Sequence, residues 1–281
     1  MKDAFVTSVN TALSATAYFN ELSLNAFNMD TPGYRQKNIF FSDFINGANM
    51  EDRHEWKTFQ GKAIPGRSDT NMMIEGKGYF AVRKTDGSLL YTRLGDFTFD
   101  KDGTLVNELG YKVQGYLTNE KGEIVNTGAT QINPGGSPNN PSHRQGGSGH
   151  LPTTEINMWV DPTNGKFFGK YEEFKVKADG TLMGVAEKGK VSVPLYKVAV
   201  VGFVNPGKMT RVEEYYYLPN NDSGMPVEGS GEVRSGVIEK SNVYLREQVN
   251  YLQFAKLQIE VAQKLINTNK QLLQESVRLL Q

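Results

Sequence analysis

The chain has 281 residues, of which 38% are hydrophobic and 11% aromatic, so it can bury the core of one large domain or of a few smaller ones. Its 31 basic residues balance its 31 acidic residues, which excludes a globally basic surface that would bind nucleic acid and favours self-association. The absence of cysteine excludes disulfides, thiolate nucleophiles and zinc–sulfur sites.

The sequence shows neither a membrane span nor a secretory leader. No run of about 18 apolar residues occurs, so we expect no membrane-spanning helix. The segment from Met1 to Phe5 is not followed by the apolar run and small-residue cleavage site of a signal peptide. We therefore expect any export to proceed without a cleaved signal.

Residues 1–29 predict an amphipathic helix, because apolar residues recur at spacings of three, four and seven. The helix should end by Thr31-Pro32-Gly33, since proline disfavours the helical conformation of the residue before it. We expect it to pack against another helix or another subunit. The residues predicted for that contact are Val6, Val9, Leu13 and Leu24.

Residues 240–281 predict a second, longer helix with a heptad repeat. Ala255 and Ala262 lie at the second seam position, which favours close packing. We expect a coiled-coil-like pair with the first helix, and contacts with copies of the same chain because the stripe is longer than that partner. The repeating apolar residues are Leu245, Leu252, Ile259, Ile266, Leu273 and Leu280.

The middle of the chain predicts β-structure, because short alternating segments are separated by turns such as Asp86-Gly87 and Asp102-Gly103. The predicted fold class is α+β, with paired terminal helices as an inner α domain and a mainly β domain inserted between them. The predicted domains are an inner helical domain at 1–34 plus 240–281, an extended connector at 35–70, a β domain at 71–132 plus 171–239, and a Gly/Pro-rich surface excursion or small insertion at 133–170.

No constellation of residues predicts a metal, cofactor or catalytic site. His54, His143 and His150 lie in unrelated contexts. Gly76-Lys77-Gly78 lacks the rest of a phosphate-binding motif, which favours a bulge or close backbone packing. Asp100-Lys101-Asp102-Gly103 lacks the closing glutamate of a calcium loop and is typical of a turn.

Two other classes of protein are compatible with the sequence. A secreted carbohydrate-binding or adhesin module would stack sugars on Trp159 and on Tyr215-Tyr216-Tyr217, although strand propensity also explains the tyrosines. A glycan hydrolase near the cell wall would need opposed carboxylates, which no spacing identifies.

Three segments resemble the bacterial flagellar axial family of rod and hook proteins. Residues 25–35, Asn-Ala-Phe-Asn-Met-Asp-Thr-Pro-Gly-Tyr-Arg, are similar to that family's N-terminal helix end. The segment from Ile74 to Gly115 is similar to its block IEGxGFF, YTRxGxF, DGxLV and GYxVQG, and residues 236–243 are similar to its lead into the last helix. The matching residues are Asn25, Asn28, Thr31, Pro32, Gly33, Tyr34, Glu75, Gly76, Gly78, Phe80, Thr92, Arg93, Gly95, Phe97, Gly103, Gly115, Glu239, Ser241, Asn242 and Val243.

The resemblance implies a structural subunit that polymerises helically around a central channel, with the terminal helices as an inner tube. It implies location in the flagellar basal body or hook, from the periplasm to the exterior, after export through the flagellar type III apparatus. The implied partners are copies of the same chain, other rod and hook proteins, the surrounding basal-body rings and the export apparatus. No nucleic acid, cofactor or membrane span is implied.

The choice between rod and hook depends on the middle of the chain. Hook proteins of this family usually carry a large outer domain there, whereas the excursion at 117–170 is small. The chain is therefore most similar to a distal rod protein, and a hook subunit with a reduced outer domain is the alternative. We expect the excursion to lie on the outer surface, against neighbouring subunits or a ring.

Overall fold

The chain divides into two compact units. The computed structural model describes residues 2–38, 55–125, 153–157, 173–177, 179–186, 191–213 and 215–278. The first unit, here called the helical unit, comprises Met1–Asp30, Gln36–Lys57 and Val243–Gln281, and the second, the β unit, comprises Thr31–Arg35 and Thr58–Asn242. Most of the predicted excursion, the three histidines, Trp159 and Leu280 lie outside the described residues.

Two long helices dominate the helical unit: α1 spans Lys2–Phe27 and α2 spans Leu245–Arg278. They run in opposite directions, because Asn269, late in α2, contacts Ser8, early in α1, whereas Ala255, early in α2, shares a hydrophobic cluster with Leu22 near the end of α1. The predicted layout of an N-terminal helix, a mainly β middle and a C-terminal helix is confirmed.

The β unit contains seventeen strands within the described residues, and their pairings are antiparallel. Their bounds are β1 Ala63–Pro65, β2 Met72–Glu75, β3 Tyr79–Arg83, β4 Leu89–Thr92, β5 Thr98–Phe99, β6 Leu105–Val106, β7 Lys112–Leu117, β8 Thr154–Glu155, β9 Glu173–Val176, β10 Thr181–Ala186, β11 Val191–Val198, β12 Val200–Gly202, β13 Thr210–Glu213, β14 Tyr216–Leu218, β15 Val227–Glu228, β16 Glu232–Ser235 and β17 Val237–Glu239. A 3-10 turn at Pro206–Lys208 precedes β13.

One large sheet of thirteen strands forms most of the β unit, and eight of them follow the order β13-β14-β4-β3-β7-β11-β10-β9. The turns predicted at Asp86-Gly87 and Asp102-Gly103 connect β3 to β4 and β5 to β6. Two further pairs, β1 with β17 and β2 with β16, join segments that are more than 150 residues apart in sequence. The last strands of the unit therefore depend on its first strands for hydrogen bonds.

The core of the β unit is closely packed around β2, β3 and the segment that precedes β5. The rings of Phe80 and Phe97 meet edge to face at 5.2 Å, and both are fully buried. Gly95 lies where the chain passes so close to β2 that an added Cβ would be 1.7 Å from the carbonyl oxygen of Met72. A side chain at this position would force the two backbones apart.

Residues 154–156, within the predicted surface excursion or small insertion, contribute to the core of the β unit. Residues 154–155 pair with β7, and the adjacent Ile156 is fully buried in the main hydrophobic cluster. An added Cβ on Gly115 would lie 2.8 Å from the Ile156 side chain, so the family glycine leaves room for this segment.

The predicted connector at 35–70 divides between the two units. In the helical unit a short antiparallel bridge joins Lys37 to Trp56, whose side chain is buried. In the β unit, Thr58 and the residues after it lead into β1. The predicted connector therefore contributes described residues to both units.

Candidate assembly site

The contact between α1 and α2 is made from small and polar residues as much as from large apolar ones. On α2, the seam residues Leu252, Ile259, Ile266 and Leu273 are partly buried, and the residues three positions after the first two, Ala255 and Ala262, are fully buried. On α1, the buried residues repeat every seven positions as Ser8, Ala15 and Leu22, and as Tyr18 and Asn25. Each helix therefore buries a face whose residues recur every seven positions.

The α1 residues predicted for packing lie mainly on the exposed side of the helix. Leu13 is 65% exposed and Leu24 is 53% exposed, and Val6 is also exposed, whereas Val9 is half-buried. On α2, Leu245 is exposed in the first turn. The α1 residues that the sequence reasoning missed are Ala15, Tyr18 and Leu22. Their spacings of three, four and seven positions were the available signal.

Both helices also expose large apolar side chains to solvent. A soluble monomer rarely exposes a long series of such residues, and contiguous exposed apolar surface marks an interaction site. The exposed apolar residues of the two helices are Val6, Leu13, Leu24, Phe27, Leu245, Val249, Tyr251, Phe254, Leu257, Val261, Leu265, Leu272 and Val277. This set is here called the apolar helix surface.

Asn25 of the family motif fixes the chain where α1 ends. Its side-chain amide donates to the carbonyl of Lys37 at 3.1 Å, and its side-chain oxygen accepts the amide N–H of Lys37 at 3.0 Å. The ammonium of Lys37 lies 3.1 Å from Glu21 of α1. These contacts hold the segment after the turn against the helix within the helical unit.

In the β unit, one buried carboxylate joins three family segments. Glu239 accepts from the Nε of Arg93 at 2.8 Å, from an Nη of Arg35 at 3.0 Å and from the backbone N–H of Gly61 at 2.8 Å. The two arginines and Glu239 are each at most 3% exposed. This set of side chains, Arg35, Arg93 and Glu239, is here called the ionic node.

The remaining donors of Arg93 are used by backbone carbonyls. Its two terminal nitrogens donate to the carbonyls of Gly76 and Gly78 and to that of Ile74. Burial lowers the pKa of the Arg93 guanidinium, whereas the Glu239 carboxylate raises it, and an arginine remains charged at any physiological pH. The two family glycines therefore shape a turn around a cation.

The N-terminal family segment is attached to the same place. The amide N–H of Gly33 donates to the carbonyl of Glu239 at 2.8 Å, and that of Asn242 donates to the carbonyl of Tyr34 at 3.3 Å. Gly33 has φ 70°, and an added Cβ would lie 2.6 Å from the backbone nitrogen of Leu94. Only glycine satisfies both the left-handed conformation and the close approach.

Two of the three tyrosines considered for sugar stacking are buried within the sheet. Tyr216 and Tyr217 are 2% and 1% exposed, and β14 lies between β13 and β4. Burial raises the pKa of both phenols well above the ordinary value. Strand packing therefore accounts for these side chains.

Known flagellar proteins match this chain in the segment that holds Arg93 and over most of its length. A family model described as the flagellar hook protein FlgE/F/G D1 domain matches residues 73–193. The chain is 23% identical to the flagellar basal-body rod protein FlgG of Buchnera aphidicola subsp. Schizaphis graminum over 286 residues, which cover 91% of each chain. Over most of its length this chain is similar to flagellar rod and hook proteins.

Other relatives include both kinds of family member. The FlgG rod protein of Bacillus subtilis is 24% identical over 285 residues, with 91% of this chain and 90% of the relative covered. The hook protein FlgE of Brucella suis is 24% identical over 371 residues, with 91% of this chain and 93% of the relative covered. The rod and hook family consists of structural proteins of the flagellum.

Within the described ranges, no helix is long and apolar enough to cross a membrane. The same ranges contain no group of three His, Asp or Glu side chains that could hold a metal ion.

The substitution Glu239→Gln tests the ionic node. We expect it to lower the free energy of unfolding by about 3 kcal/mol or more, because two buried guanidiniums lose their counter-charge. The matched control is Glu75→Gln, since Glu75 pairs with Arg234 at 3.2 Å in an exposed site; it should cost less than about 1 kcal/mol. Urea unfolding followed by circular dichroism measures both, and similar small losses would contradict the node.

Proposed function

We propose that this chain is a subunit of the bacterial flagellar rod, of the distal rod type, and that it polymerises helically around the export channel through its helical unit. The rod transmits motor torque, and its subunits reach it through the flagellar type III apparatus. Its partners in this proposal are copies of itself, neighbouring rod and hook proteins, and the surrounding basal-body rings. The apolar helix surface carries the proposal, since it needs a partner of matching chemistry.

A helix pair whose two sides differ is suited to helical polymerisation. A head-to-tail contact between unlike faces does not close, and repetition of that contact builds a filament. Exposed apolar residues lie on both helices, with Leu13 on α1 and Leu265 on α2 as examples. The net charge of zero removes self-repulsion between subunits.

Chain length favours the rod over the hook. The alignment with the FlgE hook protein runs over 371 residues, which is more than the 281 of this chain, so it contains long gaps opposite residues of the hook protein. The alignments with the two FlgG rod proteins run over 286 and 285 residues, so the gaps opposite residues of those relatives are much shorter. A hook subunit with a reduced outer domain is the second candidate.

The double substitution Leu265→Lys with Leu272→Lys tests polymerisation. Both leucines are nearly half exposed, so the monomer should keep its helical content and unfolding temperature. We expect the concentration needed for polymerisation to rise at least about 100-fold, because two ammonium groups would be buried in the contact. Sedimentation and electron microscopy over a concentration series measure the change.

The control adds the same charge to the same helix at polar positions. The control variant carries Gln263→Lys with Gln271→Lys, both at exposed positions of α2. It should polymerise like the unaltered protein. Polymerisation of the Leu265/Leu272 variant at the unaltered concentration would rule out these leucines as interface residues.

Gold-labelled antibodies against this chain, applied to purified hook–basal bodies, separate the rod from the hook. A rod subunit places the label on the axial segment between the rings and below the hook. Label along the curved hook would instead establish the hook subunit. Antibody against a known hook protein on the same particles provides the control.

A further inference from the structure

Two contacts define how α1 and α2 are aligned in the helical unit. Toward one end of the pair, Leu22 of α1 and Ala255 of α2 share a hydrophobic cluster. Toward the other end, the side-chain amide of Asn269 donates to the hydroxyl of Ser8 at 3.3 Å. Ser8 and Leu22 are two heptads apart in sequence, and so are Ala255 and Asn269. The two helices therefore keep one register over this length.

The same spacing gives the layer midway between these contacts. Seven residues from each contact, Ala15 of α1 lies opposite Ala262 of α2, and both alanines are fully buried. Two of the three resulting layers are apolar, and one is polar. The layers are Leu22 with Ala255, Ala15 with Ala262, and Ser8 with Asn269.

The apolar residues of α2 distinguish this register poorly from one that is slipped by seven residues. In the slipped pair Leu22 would lie opposite Ala262, which reproduces its packing on Ala255. The larger seam residues of α2 also recur every seven positions with similar size, as Leu252, Ile259, Ile266 and Leu273. Because burial of apolar area has no direction, it stabilises both registers by similar amounts.

Asn269 distinguishes the two registers. In the observed register its amide donates to the Ser8 hydroxyl, which in turn donates to the carbonyl of Phe5 at 2.8 Å. In the slipped register Asn269 would lie opposite the methyl group of Ala15, which offers no hydrogen-bond acceptor and lies in a fully buried layer. A buried amide that loses its partner is destabilised by more than an ordinary hydrogen bond contributes.

The same register also aligns the exposed apolar residues of the two helices. Leu13 lies at the level of Leu265 along the pair, and Phe27 lies at the level of Tyr251. A slip by seven residues would bring Phe27 to the level of the polar Gln258. The register therefore decides which residues of the apolar helix surface lie at the same level.

We propose that Asn269, through its hydrogen bond to Ser8, specifies the register of the α1–α2 pair. A single polar residue at a seam position fixes the register of a coiled coil by making the alternatives unfavourable. The register is a property of one chain. Its consequence, an apolar helix surface with one fixed geometry for the next copy, rests on the proposed function.

Disulfide trapping measures the register in the full-length protein, which has no cysteine of its own. Ala15→Cys with Ala262→Cys reports the observed register, and Leu22→Cys with Ala262→Cys reports the slipped one. A slip by seven residues moves one helix along the other by about 10 Å, whereas a disulfide spans at most about 7 Å between Cα atoms. With Asn269 present, the first pair should form an intramolecular disulfide in most molecules, and the second should form it at least about tenfold less.

Asn269→Ala is then introduced into both double-cysteine proteins. The yield of the slipped disulfide should rise at least about tenfold, because an amide no longer has to face Ala15. Circular dichroism should show unchanged helical content, since alanine continues the series of Ala255 and Ala262. Asn267→Ala is the matched control at an exposed position of the same helix and should change neither yield.

A second reporter of the same slip leaves Leu22 intact. Thr11→Cys with Leu273→Cys uses two partly buried positions and should respond to Asn269→Ala in the same way. If neither slipped disulfide increases in Asn269→Ala, or if both form as readily as the in-register one while Asn269 is present, the proposal is overturned. The trapping uses dilute monomer, so a failure of the protein to polymerise would contradict the proposed function and not the register.

Discussion

The carboxylate of Glu239 is the point on which the β unit depends. It contacts residues that are far apart in sequence, namely Arg35, Gly61 and Arg93, and it does so without exposure to solvent. Because a buried ion pair contributes little net stability but is costly to break, this arrangement acts mainly as a constraint on geometry. It requires the start, the middle and the end of the unit to be in place together.

That constraint also sets where the chain leaves the β unit. The backbone of Asn242 donates to Tyr34, and the backbone of Gly33 donates to Glu239, so the connections toward α1 and α2 depart from adjacent places. Few residues separate Tyr34 from the end of α1 and Asn242 from the start of α2, so pairing the two helices costs little further loop entropy. The heptad-spaced faces of α1 and α2 then select the antiparallel pairing, with Ala255 and Ala262 permitting close approach.

The large features of the fold were readable from the sequence because periodicity encodes them directly. The heptad stripe of α2 and the Asp-Gly turns predicted the last helix and the hairpins between β3 and β4 and between β5 and β6. The packing face of α1 was not predicted, because Ser8 and Ala15 are not large apolar residues. Leu13 and Leu24 dominated the apolar pattern instead. The ionic node could not be predicted for another reason. No pattern along the chain relates Arg35 to Glu239, and only the tertiary structure brings them together.

Helical reconstruction of filaments of the purified protein by electron cryomicroscopy tests the central claim, that copies of this chain cover each other's apolar helix surface. The account predicts that the helical unit lies nearest the filament axis and that Leu257, Val261 and Leu265 are buried between subunits. A filament in which these residues face solvent, or in which the β unit lies nearest the axis, would contradict it.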